Sequence, residues 1–213
     1  MVLKKSVSQG NPHLCNICDQ FASSNPGGAE IEMTMLFADV RGSTTLAEKL
    51  SPSEFTRRMN RFYATANDVL INSDAYIDKI VGDEVIGLYI PVFAGKNHAR
   101  KAVLAANDLL RATGHDSEKG PWVPVGVGVY TGNVYYGTVG AKEQVTSITV
   151  MGDAVNITAR LASVAGKGEI LIGEKTYLDA GINMGNPERR QLELKGKSET
   201  VSVVVQRVMH KNI

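Results

Sequence analysis

A chain of 213 residues with 43% apolar and 21% charged content can bury one substantial core but hardly two full domains, so one globular domain is expected. Twenty-three basic residues against twenty-two acidic ones leave a net charge of +1, which argues against wrapping of nucleic acid or adhesion to an anionic membrane; any phosphate chemistry has to be local. No apolar run approaches the roughly 20 residues of a membrane-spanning helix, and the polar start MVLKKSVSQGNPH lacks the apolar segment of a secretory signal, so a cytoplasmic chain without a membrane span is expected.

Residues 1–30 combine Ser, Asn, Gly and Pro with little periodicity and read as an N-terminal arm, closed by the breaker Asn25-Pro26-Gly27-Gly28. Cys15 and Cys18, with His13 two residues upstream, have the short spacing of zinc ligands. A structural zinc site needs four donors, so zinc here would require a second chain or other groups, and otherwise reduced thiols are expected. The folded domain is expected over 31–207, followed by a short tail, 208–213.

The run Met33 to Ala38, apolar apart from Thr34, predicts a buried central strand that delivers Asp39 at its C-terminal end. Ser51-Pro52-Ser53-Glu54 supplies an N-cap, a first-turn proline and a capping-box glutamate. The helix it opens carries the stripe Phe55, Met59, Phe62, Ala66, Val69 and Leu70. Ala75–Ile80 and Val85–Ile90 predict a hairpin with Asp83 near its tip, and His98–Ala112 a second helix with Ala102, Val103, Ala106, Leu109 and Leu110 inward. Strands are expected over 123–130, 134–139, 146–150, 169–172, 190–194 and 200–207, with a turn at Thr131-Gly132-Asn133 and a third helix over 153–165. The order points to an α+β fold with a ferredoxin-like βαββαβ core, additional C-terminal strands and a helix, and helices over one face of a mainly antiparallel sheet.

Asp39 is followed by Val40-Arg41-Gly42-Ser43-Thr44, whose small residues lead into a helix expected near Thr45, with Glu48 completing a capping box. Free backbone N–H groups at such a turn hold phosphate oxygens. If hairpin and first strand are neighbours, Asp83 lies beside Asp39, giving two hard carboxylates suited to magnesium bound with nucleotide phosphates. Taken singly, each aspartate also has a commonplace use, as a turn former after a strand or in a hairpin. Asn156 and Arg160, four apart on the third helix, share a face and suit either a ribose and phosphate or a solvated surface. Lys79 and Thr149 are hydrogen-bonding residues in segments that otherwise read as core strands, and Lys195 and Lys197 lie in a polar turn.

Taken together, LFADVRGST (36–44), KIVGDEV (79–85) and VMGDAVNITARL (150–161) resemble the signatures of the class III adenylate and guanylate cyclases, and Gly126–Gly132 with Gly137–Gly140 resemble that family's glycine-rich central hairpin. The resemblance implies the class III cyclase fold over residues 31 to 207. It implies Asp39 and Asp83 as ligands of two Mg2+ or Mn2+ ions, with the Val40 carbonyl as a further ligand, and Asn156 and Arg160 as the pair acting on the transition state. It implies Lys79 and Thr149 as base-selecting residues of the adenine type, because adenine offers an acceptor at N1 and a donor amine at C6. Gly42, Ser43, Thr44 and Lys195 are the expected triphosphate contacts. The substrate implied is ATP, converted to cyclic AMP and pyrophosphate at composite sites of a head-to-tail homodimer. Two positions depart from the pattern: Ser43 stands where Phe is common and Tyr130 where His is frequent. A cyclase of another nucleotide, or an inactive dimerising or nucleotide-binding module, are the alternative functions.

Overall fold

The computed structural model describes residues 6, 7, 16, 27–140, 146–194, 196 and 199–208. Cys15, Cys18, His13, Lys195 and Lys197 lie outside the described residues, and the expectations for them with it. In chain order the elements are β1 (Gly28–Val40), α1 (Ser43–Lys49), α2 (Pro52–Asn72), β2 (Tyr76–Val81), β3 (Glu84–Tyr89), α3 (Pro91–Ala94), α4 (His98–Ala112), β4 (Val125–Gly140), β5 (Thr146–Met151), α5 (Asp153–Val164), β6 (Glu169–Gly173), α6 (Glu174–Ala180), β7 (Glu188–Leu192) and β8 (Val201–Arg207).

The strands form one sheet in the order β2-β3-β1-β4-β6-β8-β7, with β5 paired to β4. The first four in sequence stand as β2-β3-β1-β4, all antiparallel, which is the ferredoxin-like arrangement expected from the βαββαβ order. β4 and β6 form a parallel pair.

β1 begins at Gly28, inside the segment read as an arm, and pairs with β4 in continuous register from Gly28↔Gly137 to Val40↔Val125. That ladder overrides the turn expected at Thr131-Gly132-Asn133: the chain runs straight through as a single 16-residue strand. Thr131 is held on two sides, its N–H donating to Thr176 Oγ1 at 2.7 Å and its hydroxyl lying 2.7 Å from that of Thr34. The other edge of β4 is shared, with β6 along its first half and β5 along its second.

The glycines of β4 are explained by packing rather than by turning. A Cβ at Gly128 would stand 2.5 Å from the Ala162 nitrogen and 2.7 Å from the Thr158 carbonyl, one at Gly126 2.7 Å from the Ala165 carbonyl, and one at Gly132 2.7 Å from Ala154 Cβ. These three glycines let the backbone of α5 lie directly on the strand.

Helices therefore cover both faces, not the one face expected. Leu36, Ala38 and Val40 pack with Met59, Phe62, Ala66 and Leu70 of α2 and with Ala102, Val103, Ala106, Leu109 and Leu110 of α4. Met33, Met35 and Phe37 point the opposite way, into a cluster with Ala154 and Ala162 of α5. A strand buried on both faces needs a nearly continuous apolar run, which residues 33–38 supply apart from Thr34, whose buried hydroxyl is hydrogen-bonded to Thr131 and His98.

The cap of α2 forms as expected: Glu54 N–H donates to Ser51 Oγ at 3.3 Å and Ser51 N–H to Glu54 Oε2 at 3.1 Å. The capping box expected at Thr45 and Glu48 does not form. Instead α1 opens at Ser43 behind Gly42, which lies at φ 70° and has no side chain to cap with, and the Ser43 hydroxyl is engaged by Asp83. α3 and α6 are short helices absent from the sequence reading, and β7 sits two residues earlier than expected.

The far edge is held by an ion network. Glu169 on β6 accepts from Arg190 Nη2 at 2.8 Å and Nη1 at 3.2 Å, and from Gly166 N–H at 2.9 Å, with Arg207 also paired to it. The Arg190 bonds lead in pulling its carboxyl down to about 2, against the opposing effect of burial. A depressed carboxyl stabilises the fold above its unfolded value of 4.5 and loses that contribution as pH falls toward about 2.

Two stability measurements follow from this packing. Gly128→Ala should lower stability by about 3 kcal/mol or more in urea unfolding, since the clash is with helix backbone. Glu169→Gln should be less stable than the parent at pH 7 by an amount on the order of 2–3 kcal/mol, with the gap closing between pH 4.5 and 2.

Candidate active site

The β1–β3 ladder sets Asp39 opposite Glu84, and Val40 N–H donates to the Asp83 carbonyl at 3.2 Å. The adjacency inferred for Asp39 and Asp83 is thus present. The hairpin turns on Gly82 at φ 61° with Asp83 at negative φ, the pattern of a two-residue turn led by glycine. Tyr63 of α2 fixes this tip, its hydroxyl donating to the Gly82 carbonyl at 2.5 Å. The Ser43 hydroxyl donates to Asp83 Oδ2, so the serine found where Phe is common latches α1 to the hairpin.

Arg41 is the cation of this cluster. It pairs with Asp39 Oδ1, while its Nη1 donates to the Ser163 carbonyl at the end of α5 at 2.5 Å. Against that single guanidinium stand three carboxylates. Burial raises the Asp39 carboxyl, opposed by Arg41 and reinforced by Asp83. Burial, then the charges of Asp39 and Asp83, push Glu84 up to about 7.

This donor set fits a hard divalent cation. The carboxylates crowd one another, and added positive charge would relieve that crowding. Among the described residues no three His, Cys, Asp or Glu side chains form a closed metal cage. Magnesium sites on nucleotides are built from one or two carboxylates, with water and phosphate completing the shell, and Asp39 and Asp83 are carboxylates that could hold such an ion, with the Val40 carbonyl next to Asp39 in the chain. Gly42 at φ 70° has open space where a Cβ would stand, and Thr44 beyond it is exposed.

A second polar cluster joins β2 to β5. Lys79 Nζ donates to Thr149 Oγ1 at 2.8 Å, so two residues 70 apart in sequence meet as a pair. The Thr149 hydroxyl in turn donates to Asp78 Oδ2 at 3.0 Å, and Lys79 Nζ lies 3.2 Å from the same oxygen. Asp78, Arg41 and Glu84 were given no role in the sequence reading, although Arg41 and Glu84 stand inside its motifs. For Asp78 the available signal was two consecutive charged residues, Asp78-Lys79, interrupting a β-prone run, which no flat alternating strand accommodates.

On α5, Asn156 is exposed and Arg160 half-buried, one turn apart on the same side as expected. The Arg160 guanidinium lies 3.5 Å from where a Cβ at Gly196 would be, next to the turn before β8. Among the described residues no hydrogen bond or ion pair joins Asp39 or Asp83 to Lys79, Thr149, Asn156 or Arg160. None of the described helices is long and apolar enough to cross a membrane.

With fold and clusters in place, the family follows. Residues 29–207 match the model of the adenylate and guanylate cyclase catalytic domain, and the chain belongs to this family of class III nucleotide cyclases. An adenylate cyclase of Anabaena cylindrica is 31% identical over 186 residues, covering 80% of this chain and 36% of its own length. The crystal structure of the guanylyl cyclase Cya2 superposes with a TM-score of 0.75 at 27% identity, covering 87% of this chain and 97% of that one. That of the adenylyl cyclase CyaB from P. aeruginosa gives 0.75 at 25% identity, covering 88% and 99%. The chain thus spans about a third of the curated relative and nearly all of the two solved chains.

Proposed function

We propose that this chain is an adenylate cyclase domain that converts ATP to 3′,5′-cyclic AMP and pyrophosphate, working as a homodimer. The observation that carries the choice of base is the 2.8 Å contact between Lys79 and Thr149. It supports one subunit presenting a donor and an acceptor side by side, complementary to N1 and the C6 amine of adenine. Guanine carries the opposite polarity at both positions.

In this reading Asp39, Asp83 and the Val40 carbonyl of one subunit would hold two Mg2+ or Mn2+ ions, which neutralise the triphosphate and lower the proton affinity of the ribose 3′ hydroxyl. Ser43 holds Asp83 in position, and Gly42 and Thr44 leave room for phosphate oxygens at the start of α1. The partner subunit brings Lys79 and Thr149 to the base, Asn156 to the ribose and Arg160 to the α-phosphoryl group; Lys195 is assigned to the terminal phosphates. The 3′ hydroxyl attacks the α-phosphorus in line and pyrophosphate leaves, with Arg160 neutralising charge that develops on the equatorial oxygens. The chain's own part is positioning and electrostatics, since no protein nucleophile is required.

The dimeric assignment follows the head-to-tail arrangement with composite sites that the sequence motifs imply. The test is incubation of purified protein with ATP, GTP, CTP and UTP in turn, with Mn2+, and identification of cyclic products by mass spectrometry. Cyclic AMP should predominate, and Asp39→Ala should lower its rate by at least about 10²-fold. Cyclic GMP as the main product, or full activity without Asp39, contradicts the proposal.

A further inference from the structure

Asp78 sits where the register between β2 and β3 slips: Ile77 faces Gly87 and Lys79 faces Ile86, so Asp78 is left over between two consecutive pairs. An extra residue of this kind re-aims its own side chain. Here the carboxylate is turned inward, its side chain only 2% exposed, toward Thr149 and Lys79. Its Oδ2 accepts from the Thr149 hydroxyl and faces the Lys79 ammonium, while its Oδ1 is buried without a hydrogen-bond partner among the described residues. Burying a carboxylate is costly unless donors compensate it, and at Asp78 the donors are this pair.

The hydrogen-bond inventory of Thr149 then closes. A threonine hydroxyl has one proton and two lone pairs. The proton goes to Asp78 Oδ2, and one lone pair receives Lys79 Nζ. A ligand meets the remaining lone pair, so Thr149 accepts and does not donate. Without Asp78 the hydroxyl is free to rotate, and it can then serve an amine or a carbonyl equally.

We infer that Asp78 is a positioning residue that locks Thr149 as a hydrogen-bond acceptor, so that the pair selects a base carrying an amine beside an unprotonated ring nitrogen over one carrying a carbonyl beside an N–H. The inference rests on the reading of Lys79 and Thr149 as the base-contacting pair. Asp78 touches neither base nor phosphate in this account; it sets the polarity of the group that does. Its loss therefore changes discrimination between nucleotides more than it changes turnover.

The test compares kcat/KM for ATP and GTP in the full chain, in Asp78→Ala, in Asp78→Asn, and in both changes placed on a Thr149→Val background, with thermal melting to confirm folding. Asp78→Ala should lower the ATP-to-GTP ratio by about tenfold, chiefly through KM. Asp78→Asn, which keeps an acceptor for the hydroxyl, should recover part of that loss. On the Thr149→Val background, where no hydroxyl remains to be oriented, either change should leave the ratio within about twofold. If Asp78→Ala does not fold, Asp78→Asn with and without Thr149→Val carries the comparison. Equal losses for both nucleotides, or the same ratio change without the hydroxyl, overturn the inference. A parent protein that prefers GTP contradicts the adenine reading itself, whichever way the Asp78 variants behave.

Discussion

The antiparallel ladder that pairs β1 with β3 on one side and β4 on the other fixes the position of the carboxylate cluster in this domain. Because Asp39 is in register with Glu84, the hairpin tip bearing Asp83 has nowhere to go but beside the end of β1. The strand carrying Asp39 is buried on both faces, so that register is specified by every apolar side chain from Met33 to Val40; a slip of one residue would exchange its two faces. The crowding of Asp39, Asp83 and Glu84 is tolerated because the core holding the two strands together is extensive, while Arg41 offsets only part of the repulsion. Negative potential is thus built into the end of the sheet by backbone pairing.

The second constraint is the close seat of α5 on β4. Three glycines bring helix and strand backbones together, and the helix so placed carries Asn156 and Arg160 and offers its Ser163 carbonyl to Arg41. Glycine was read in the sequence as a signal for turning at residues 131–133, whereas its role here is to omit a side chain. Local composition does not separate the two uses. The deciding information is the length of β1, whose ladder continues past Gly132, and that is a tertiary fact.

Much else was legible for physical reasons. The stripe in α2 and its capping box are short-range features, complete within a few residues, and they appear as read. The aspartates, Asn156, Arg160, Lys79 and Thr149 were singled out through motifs, and the structure brings Lys79 and Thr149 into contact. Asp78, Arg41 and Glu84 escaped because their importance arises from neighbours distant in the chain: a register slip in one case, a shared charged pocket in the others. The expectation of helices on one face failed because the topology of the first six elements says nothing about where α5 returns.

In the proposed reading the carboxylate cluster of one copy and the α5 pair of a second copy act on one nucleotide. The most direct measurement uses co-expressed subunits with different tags, one carrying Asp39→Ala and the other Arg160→Ala, purified as the mixed dimer. Each variant alone should be nearly inactive. The mixed dimer retains one site with an intact Asp39 from one subunit and an intact Arg160 from the other, and should show about half the parent's cyclase activity. A mixed dimer as inactive as either variant alone would contradict the shared site.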